Sequence, residues 1–191
     1  GVRVPTLMRW PGRIPQNRVC DAPLMTIDLL PTVARLINAK LPEHKIDGLD
    51  ISAVITGKTD KSPHDVLYFY YGQNNLEALR GGKWKLELPR NYQTLNGQAP
   101  GNDGSHVPYS ILKITKPELY DLDTDPGQKQ DVAAAQPEVL QRLLAAADRM
   151  RAELGDDLTN HQGTGRRQPG KVNDNAVYPS SPGFTKAIEM K

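Results

Sequence analysis

A strict alternation of charged and apolar side chains over residues 83–88, Lys-Trp-Lys-Leu-Glu-Leu, constrains the fold more than any other feature. Side chains of a β-strand point alternately to its two faces, so this pattern predicts a strand with one face in the core and the other in water. Gly81 and Gly82 precede it, and residues 76–80, Leu-Glu-Ala-Leu-Arg, come before them as another predicted strand, a pattern typical of a β-hairpin. Because an isolated hairpin is marginal in water, this one requires further strands and a covering element.

Further strands and a covering helix are predicted on either side of this hairpin. Residues 66–71 are aromatic and β-prone, and residues 118–122 also favour a strand. Residues 137–154 predict a helix, because Pro137 suits the first helical position, apolar residues recur at helical spacing and Gly155 follows. We therefore expect an antiparallel sheet of three or four strands that is covered by this helix.

The segment before this sheet shows a different pattern. Residues 3–10 predict a strand, and residues 26–39 predict a helix with apolar side chains at helical spacing on one face. Pro31 must then lie near the start of that helix, because an interior proline would cost about 3 kcal/mol. A short helix or extended stretch is expected to end at Gly57.

These patterns divide the chain into three predicted parts. Residues 1–62 form the end of an α/β domain, residues 63–157 form the small antiparallel-sheet subdomain with its helix, and residues 158–191 form a polar tail with little order. The predicted fold class is α/β overall and α+β within this chain. Because the chain opens directly on a strand, we expect it to be a fragment. Alone, it should expose an apolar face and be marginally stable or prone to aggregation.

Composition excludes several classes of protein. The net charge is only +2, from 24 Lys and Arg against 22 Asp and Glu, so neither nucleic acid nor an anionic membrane surface is indicated as a partner. The single cysteine, Cys20, excludes an internal disulfide framework and a multi-cysteine zinc site. No apolar run reaches the 18 residues of a transmembrane helix.

The candidate binding residues lie in residues 90–117, which are rich in Gly, Asn and Pro and are predicted to be one long loop. Loops of this length within a compact domain are usually functional or disordered. Arg90 is a candidate through its planar guanidinium, and Tyr92 is a candidate through its aromatic ring. His106 is a candidate substrate contact. A purely structural or surface role stays open for each of these residues.

Other residues that could carry chemistry are assigned structural roles. The remaining histidines show no metal-ligand spacing and are predicted to be ordinary loop residues: His44, His64 and His161. Alternating aspartates over residues 121–125 resemble the start of a calcium loop, but Pro126 and Val132 replace the glycine and the bidentate glutamate that such a loop requires. These aspartates are expected to shape a turn, and Cys20 is expected to be a small packing residue.

Several short motifs, taken in order, resemble the formylglycine-dependent sulfatases, the arylsulfatase family of the alkaline-phosphatase-like superfamily. The motifs are Gly1-Val2-Arg3-Val4-Pro5, Trp10-Pro11-Gly12, Ile27-Asp28-Leu29-Leu30-Pro31-Thr32, Asp47-Gly48, Leu79-Arg80 with Gly82-Lys83-Trp84-Lys85-Leu86, Glu118-Leu119-Tyr120-Asp121-Leu122, Asp125-Pro126-Gly127 and Asp131-Val132-Ala133. The earlier ones resemble the late part of the family's catalytic domain, and the later ones resemble its C-terminal subdomain. The resemblance covers residues 1–154.

The resemblance implies a hydrolase for sulfate esters. In that family a cysteine or serine in Cys/Ser-x-Pro-x-Arg becomes formylglycine, whose hydrate attacks sulfur beside a divalent cation, usually calcium. No catalytic or metal residue is carried over to this chain. Cys20 lacks the motif's proline and arginine spacing, Ser180-Ser181-Pro182-Gly183-Phe184 ends in Phe184, and Asp174-Asn175 resembles the metal pair only superficially. Calcium and formylglycine are therefore expected outside these 191 residues, and the fragment alone is expected to be inactive.

The implied partners are a sulfated small molecule or carbohydrate and the missing N-terminal part of the same polypeptide. The resemblance also implies that the C-terminal subdomain lies beside the mouth of the active site, so the loop over residues 90–117 could form part of the pocket wall. There Arg90 could bind a sulfate or carboxylate, and Tyr92 could stack on a sugar or aryl ring. By resemblance, the parent enzyme is expected in the periplasm, outside the cell or in the lysosome. Two alternatives stay open: a non-catalytic interaction domain, and a phosphohydrolase of the same superfamily. Residues upstream of Gly1 would separate these alternatives.

Overall fold

The computed structural model describes residue 2 and residues 4–167, and within them it contains six strands and three α-helices. The elements in chain order are α1 (Leu29–Leu36), α2 (Ser52–Ile55), β1 (Leu67–Tyr71), β2 (Asn75–Gly81), β3 (Trp84–Glu87), β4 (Arg90–Thr94), β5 (Ser110–Ile114), β6 (Glu118–Asp121) and α3 (Pro137–Leu154). Short 3-10 turns precede α1 and follow α3. The mixture of helices and antiparallel sheets confirms the predicted fold class.

Strands β1, β2, β3 and β6 form one antiparallel sheet in that order. The hairpin predicted from the alternating segment is confirmed: β2 and β3 pair directly, and Gly82 in the turn between them has a φ of +61°. Leu79, Leu86 and Leu119 are aligned across the sheet and are fully buried. Their row of apolar side chains forms the centre of the core.

Helix α3 covers this sheet and has the bounds that the sequence predicted. Leu143 and Ala147 are fully buried against the strands. The approach is close at Gly81, where an added Cβ would lie 2.9 Å from a methyl carbon of Leu143. Gly155 follows the last helical residue, Leu154, and its φ of +85° favours glycine.

Asp156 fastens the end of α3 to the sheet. Its carboxylate is fully buried and accepts hydrogen bonds from the amide of Leu76 at 3.2 Å and from Nε of Arg151 at 2.9 Å. The hydroxyl of Tyr70 donates to the carbonyl of Gly155 at 2.9 Å. The carboxylate thus joins a strand amide and a helix side chain at one buried point.

Part of the predicted polar tail also has defined contacts. The amides of Thr164 and Gly165 donate to the carbonyls of Ala152 and Glu153 in the last turn of α3, at 3.1 and 2.7 Å. Helix carbonyls in the last turn have no partner within the helix, so a chain that folds back can satisfy them. The remainder of the tail, residues 168–191, lies outside the described residues.

The N-terminal segment differs from its prediction in one element. Residues 4–10 form no strand, so the strand expected over residues 3–10 is wrong for the described part. A strand needs a neighbour to pair with, and none lies beside this segment among the described residues; Pro5 also lacks an amide donor. Helix α1 forms as expected, with Pro31 in its first turn, but it ends at Leu36.

The predicted loop over residues 90–117 is the second correction. Strands β4 and β5 pair antiparallel within it, with Tyr92 opposite Leu112, so only residues 95–109 and 115–117 are irregular. The β5 sequence, Ser-Ile-Leu-Lys-Ile, favours a strand. The prediction of a loop gives more weight to the many Gly, Asn and Pro residues around it. We call β4, β5 and residues 95–109 the arm.

No helix among the described residues is long and apolar enough to cross a membrane.

Candidate functional site

The structure brings two of the three predicted binding residues together at the base of the arm. The Arg90 guanidinium lies 5.8 Å from the centre of the Tyr92 ring, at a distance that favours a cation–π contact. His106 lies farther along the arm, where its exposed ring meets Tyr109 edge-on at 6.3 Å. The arm therefore carries one half-buried aromatic site and one exposed aromatic site.

Arg90 is held by several groups of the sheet. Its Nε lies 3.0 Å from a carboxylate oxygen of Glu77, and one Nη lies 2.6 Å from Glu87. The other Nη donates to the carbonyls of Glu77 and Leu88, both at 3.1 Å. The Arg90 side chain is only 11% exposed. Among the described residues, neither Arg90 Nε nor Glu87 Oε2 makes a hydrogen bond of good geometry. The two carboxylate contacts are therefore ion pairs rather than aligned hydrogen bonds.

A cleft of about 630 Å³ lies between residues 19–23, residues 60–65 and the turn that joins β2 to β3. Its lining is rich in charged and polar side chains of both signs. These include Asp21, Lys61, His64, Asp65, Arg80 and Asp123. Cys20 also lines the cleft and is a free thiol of intermediate exposure.

His64 forms a buried pair with Asp28 beside this cleft. Its Nε2 lies 2.8 and 3.0 Å from the two carboxylate oxygens of Asp28, and the side chains are 5% and 0% exposed. The same carboxylate accepts the amides of Met25 at 2.8 Å and Leu49 at 2.9 Å. The pair therefore joins the start of α1, the loop before α2 and the entry to β1.

The pair determines how the His64 ring can bond. An ionised carboxylate can only accept hydrogen bonds, so the proton must lie on Nε2 of His64. Its Nδ1 is left without a hydrogen-bond partner among the described residues. The prediction that His64 is an ordinary loop histidine missed this role. Asp28, a carboxylate within the apolar run before α1, was the signal that could have revealed it.

The described residues do not fit the metal and the formylglycine that the family resemblance implies. Within residues 4–167 no three His, Cys, Asp or Glu side chains are grouped so as to hold a metal ion. Asp121 is paired with Lys83 at 2.7 Å, and Asp125 accepts the amides of Lys129 and Gln130, so these aspartates shape their turn. The superficial motifs at residues 174–175 and 180–184 lie outside the described residues. Neither group is therefore assigned to any side chain of the described part of the chain.

Comparison with known proteins places this geometry in a family. Residues 62–181 match the model of the C-terminal region of aryl-sulfatase, and residues 1–83 match that of the C-terminal region of N-sulphoglucosamine sulphohydrolase. The chain is 36% identical to mouse (Mus musculus) steryl-sulfatase over 167 residues and 37% identical to human (Homo sapiens) arylsulfatase A over 151 residues. These matches cover 81% and 75% of this chain.

The solved structures agree with the sequence matches. The fold is similar to that of a Bacteroides thetaiotaomicron protein, BT33336S-sulf, described in work on glycosaminoglycan metabolism, with a TM-score of 0.56 and 25% identity over 76% of this chain and 28% of that one. The chain spans 27% of the length of the steryl-sulfatase and 29% of the arylsulfatase A. The family-model match over residues 62–181 covers more than half of the chain, and the chain therefore belongs to the sulfatase family, in which it corresponds to the C-terminal region.

Proposed function

We propose that this chain is the C-terminal portion of a sulfuric ester hydrolase that acts on an aryl or carbohydrate sulfate. The match to the aryl-sulfatase C-terminal region over residues 62–181 carries this proposal. The formylglycine and calcium of the family would lie in a part of the protein upstream of these residues. The enzyme would act in the periplasm, outside the cell or in the lysosome.

In this proposal the N-terminal segment is scaffold that packs on the rest of the enzyme. Leu30 and Val33 of α1 and Ile27 in the turn before it are apolar, yet each is about half exposed. Leu7 is 98% exposed. Full burial of such a side chain stabilises a protein by about 1.5–3 kcal/mol, so a surface this apolar favours a covering partner. The much greater length of the relatives supports the rest of the same polypeptide as that partner.

The arm would form part of the wall of the substrate pocket. Tyr92 and His106 are its substrate contacts in this proposal, because an aromatic ring and an exposed imidazole can bind a sugar or aryl group. The guanidinium of Arg90 is already paired with the carboxylates of Glu77 and Glu87. We therefore propose that Arg90 orients the Tyr92 ring and does not itself contact the substrate.

The activity is tested with the full-length protein on p-nitrophenyl sulfate and p-nitrophenyl phosphate. A sulfatase hydrolyses the sulfate ester with a higher kcat/KM than the phosphate ester. A preference for phosphate would identify a phosphohydrolase of the same superfamily instead. No turnover of either ester by protein that carries the formylglycine would favour an interaction domain.

The arm is tested with Tyr92→Ala and His106→Ala in the same protein. We expect each to raise KM for a carbohydrate sulfate several-fold with a smaller change in kcat, because uniform binding is lost. Tyr71→Ala is the matched control, since Tyr71 is 76% exposed and lies on β1, the edge strand of the four-stranded sheet, which does not pair with β4 or β5. Unchanged KM values in both arm variants would remove the arm from the pocket.

A further inference from the structure

We propose that Asn96, in the arm, is a covalent modification site, at which the amide of Gly97 attacks the Asn96 side chain and converts it to aspartate and isoaspartate. Asn96 is the only asparagine in the sequence that a glycine follows. Glycine has no Cβ to shield its amide nitrogen, so a neighbouring carbonyl carbon can approach it closely. The reaction consumes water alone and requires neither sulfate hydrolysis nor a substrate role for the arm.

The atoms balance in two steps. In the first, the Gly97 amide gives its proton to hydroxide and its nitrogen bonds to Cγ of Asn96. The side-chain nitrogen takes a proton from water and leaves as ammonia, so that a five-membered succinimide ring remains. In the second step, water opens the ring. Cleavage of the new Cγ–N bond gives aspartate, and cleavage of the original peptide bond gives isoaspartate, in which the main chain runs through Cγ.

A tight turn after β4 presents these two residues to water. The amide of Gln98 donates to the carbonyl of Leu95 at 2.9 Å, so Asn96 and Gly97 are the central residues of a four-residue turn. Their φ values are +49° and +80°, both positive as in a type I′ turn, for which Asn-Gly is a preferred pair. Both residues are exposed, and a Cβ added to Gly97 would meet no atom within 4 Å. Hydroxide can therefore reach the attacking amide.

The attacking amide is also free to move. Among the described residues, the N–H of Gly97 donates no hydrogen bond. Ring closure needs rotation about the Cα–C bond of Asn96, which breaks the bond between Gln98 and Leu95. The Asn96 amide lies before the rotating bond and keeps its contact with Oγ1 of Thr94 at 3.1 Å. Loss of one hydrogen bond reduces the population of the reactive turn by about tenfold at most.

Other asparagines with the same backbone conformation lack this arrangement. Asn38 is exposed and has a φ of +56°, but the amide that follows it belongs to Ala39 and donates to the carbonyl of Ala34 at 2.8 Å. In the same way, the amide after Asn160 donates to a backbone carbonyl at 3.0 Å. Exposure and a left-handed φ are thus common to all three residues. The unbonded glycine amide is what distinguishes Asn96.

The modification changes the arm in two respects. A carboxylate replaces a neutral amide, which lowers the net charge of +2 by one. In the isoaspartate form the main chain of the turn also gains a carbon atom. Aged protein would therefore differ from fresh protein in the charge and in the backbone of the arm.

The test is incubation of the full-length protein at mildly alkaline pH, followed by proteolysis and mass spectrometry. We expect the peptide that contains Asn96 to gain the mass of an amide-to-carboxylate exchange, in separable aspartate and isoaspartate forms. The rate in native protein should lie within about tenfold of the rate in urea-unfolded protein. Asn96→Gln should remove most of the change, because the longer side chain must close a six-membered ring. Asn38→Gln is the matched control and should leave the change at its wild-type level.

Three results would overturn the proposal: an Asn96 peptide modified far more than about tenfold slower in native than in unfolded protein, modification as fast at Asn38 as at Asn96, or a total that Asn96→Gln leaves unchanged. Hydrolysis of p-nitrophenyl sulfate separates this inference from the proposed function. Hydrolysis by protein that is not modified at Asn96 removes the modification site alone. Modification at Asn96 without hydrolysis removes the proposed activity alone.

Discussion

Helices α1 and α3 have similar amphipathic patterns but bury very different amounts of them. In α3 the apolar stripe packs on the sheet, and Leu143 is fully buried. In α1 the apolar side chains of Leu30 and Val33 are 55% and 50% exposed. An apolar stripe therefore predicts a helix in both places, but only the presence of a facing surface determines whether the stripe stabilises this chain.

The contacts that join the N-terminal segment to the rest of the chain also differ in kind from the contacts that hold the sheet and α3 together. The sheet and α3 share one apolar core. The N-terminal segment reaches the rest of the chain largely through polar contacts, such as Asp28 with His64, Lys45 with Glu153 and Asp47 with Arg167. Exposed ion pairs contribute only about 0–1 kcal/mol, so the buried pair should dominate this connection.

The largest expected effect comes from breaking that buried pair. Asp28→Ala leaves His64 and two amides without their acceptor, and loss of one partner of a buried pair costs about 3–5 kcal/mol. We expect amide hydrogen exchange in α1 to accelerate far more than exchange in β2 and β3. Asp47→Ala, which removes a 44% exposed partner of Arg167, is the control and should change little. Equal acceleration in both regions would show that they form one cooperative unit.

The second prediction compares the same substitution in both helices. Leu143→Ala should lower the free energy of unfolding by about 2–5 kcal/mol, since it opens a cavity in the core. Leu30→Ala should cost less than about 1 kcal/mol in this chain, because the side chain is more than half exposed. Urea denaturation measures both. In the full-length protein the cost of Leu30→Ala should rise toward that of Leu143→Ala, and a cost that stays small would mean that nothing covers α1.

A third prediction concerns high pH. Burial, together with the negative charge of Asp156, raises the pKa of Tyr70 to about 12. Because this pKa is raised in the folded state, the stabilisation is complete below pH 10 and is lost as the pH rises toward 12. Urea midpoints at pH 8 and pH 11 should therefore differ more in the wild type than in Tyr70→Phe. Tyr71→Phe should keep the wild-type difference, and a Tyr70→Phe protein that also keeps it would contradict the assignment.

The smallest expected effect is at low pH. Burial opposes ionisation of Asp131, but the amides of Leu119 and Ala133 outweigh it and lower the pKa of this carboxyl group. A lowered pKa contributes stability above pH 4 that is lost as the pH falls through the folded value. Asp131→Asn should cost about 1 kcal/mol at pH 7 and less at pH 3, as measured by urea denaturation. The same substitution at the exposed Asp123, Asp123→Asn, is the control. A cost of Asp131→Asn that does not change with pH would refute this account.

The sequence by itself determined the elements whose signals are local. The bounds of α3 follow from Pro137, a helical apolar period and Gly155, and the β2–β3 hairpin follows from alternation beside two glycines. The order of short motifs was also sufficient to identify the family, because the identity and spacing of residues do not depend on contacts.

Only the tertiary structure decided what depends on distant partners. Strands β4 and β5 form because they meet each other across the intervening residues 95–109, whereas residues 4–10 meet no strand among the described residues and form none. Asp28 and His64 are 36 residues apart in the chain, and folding alone brings them to 2.8 Å. Pairing across such a separation depends on the path of the whole chain, which no local pattern of side chains records.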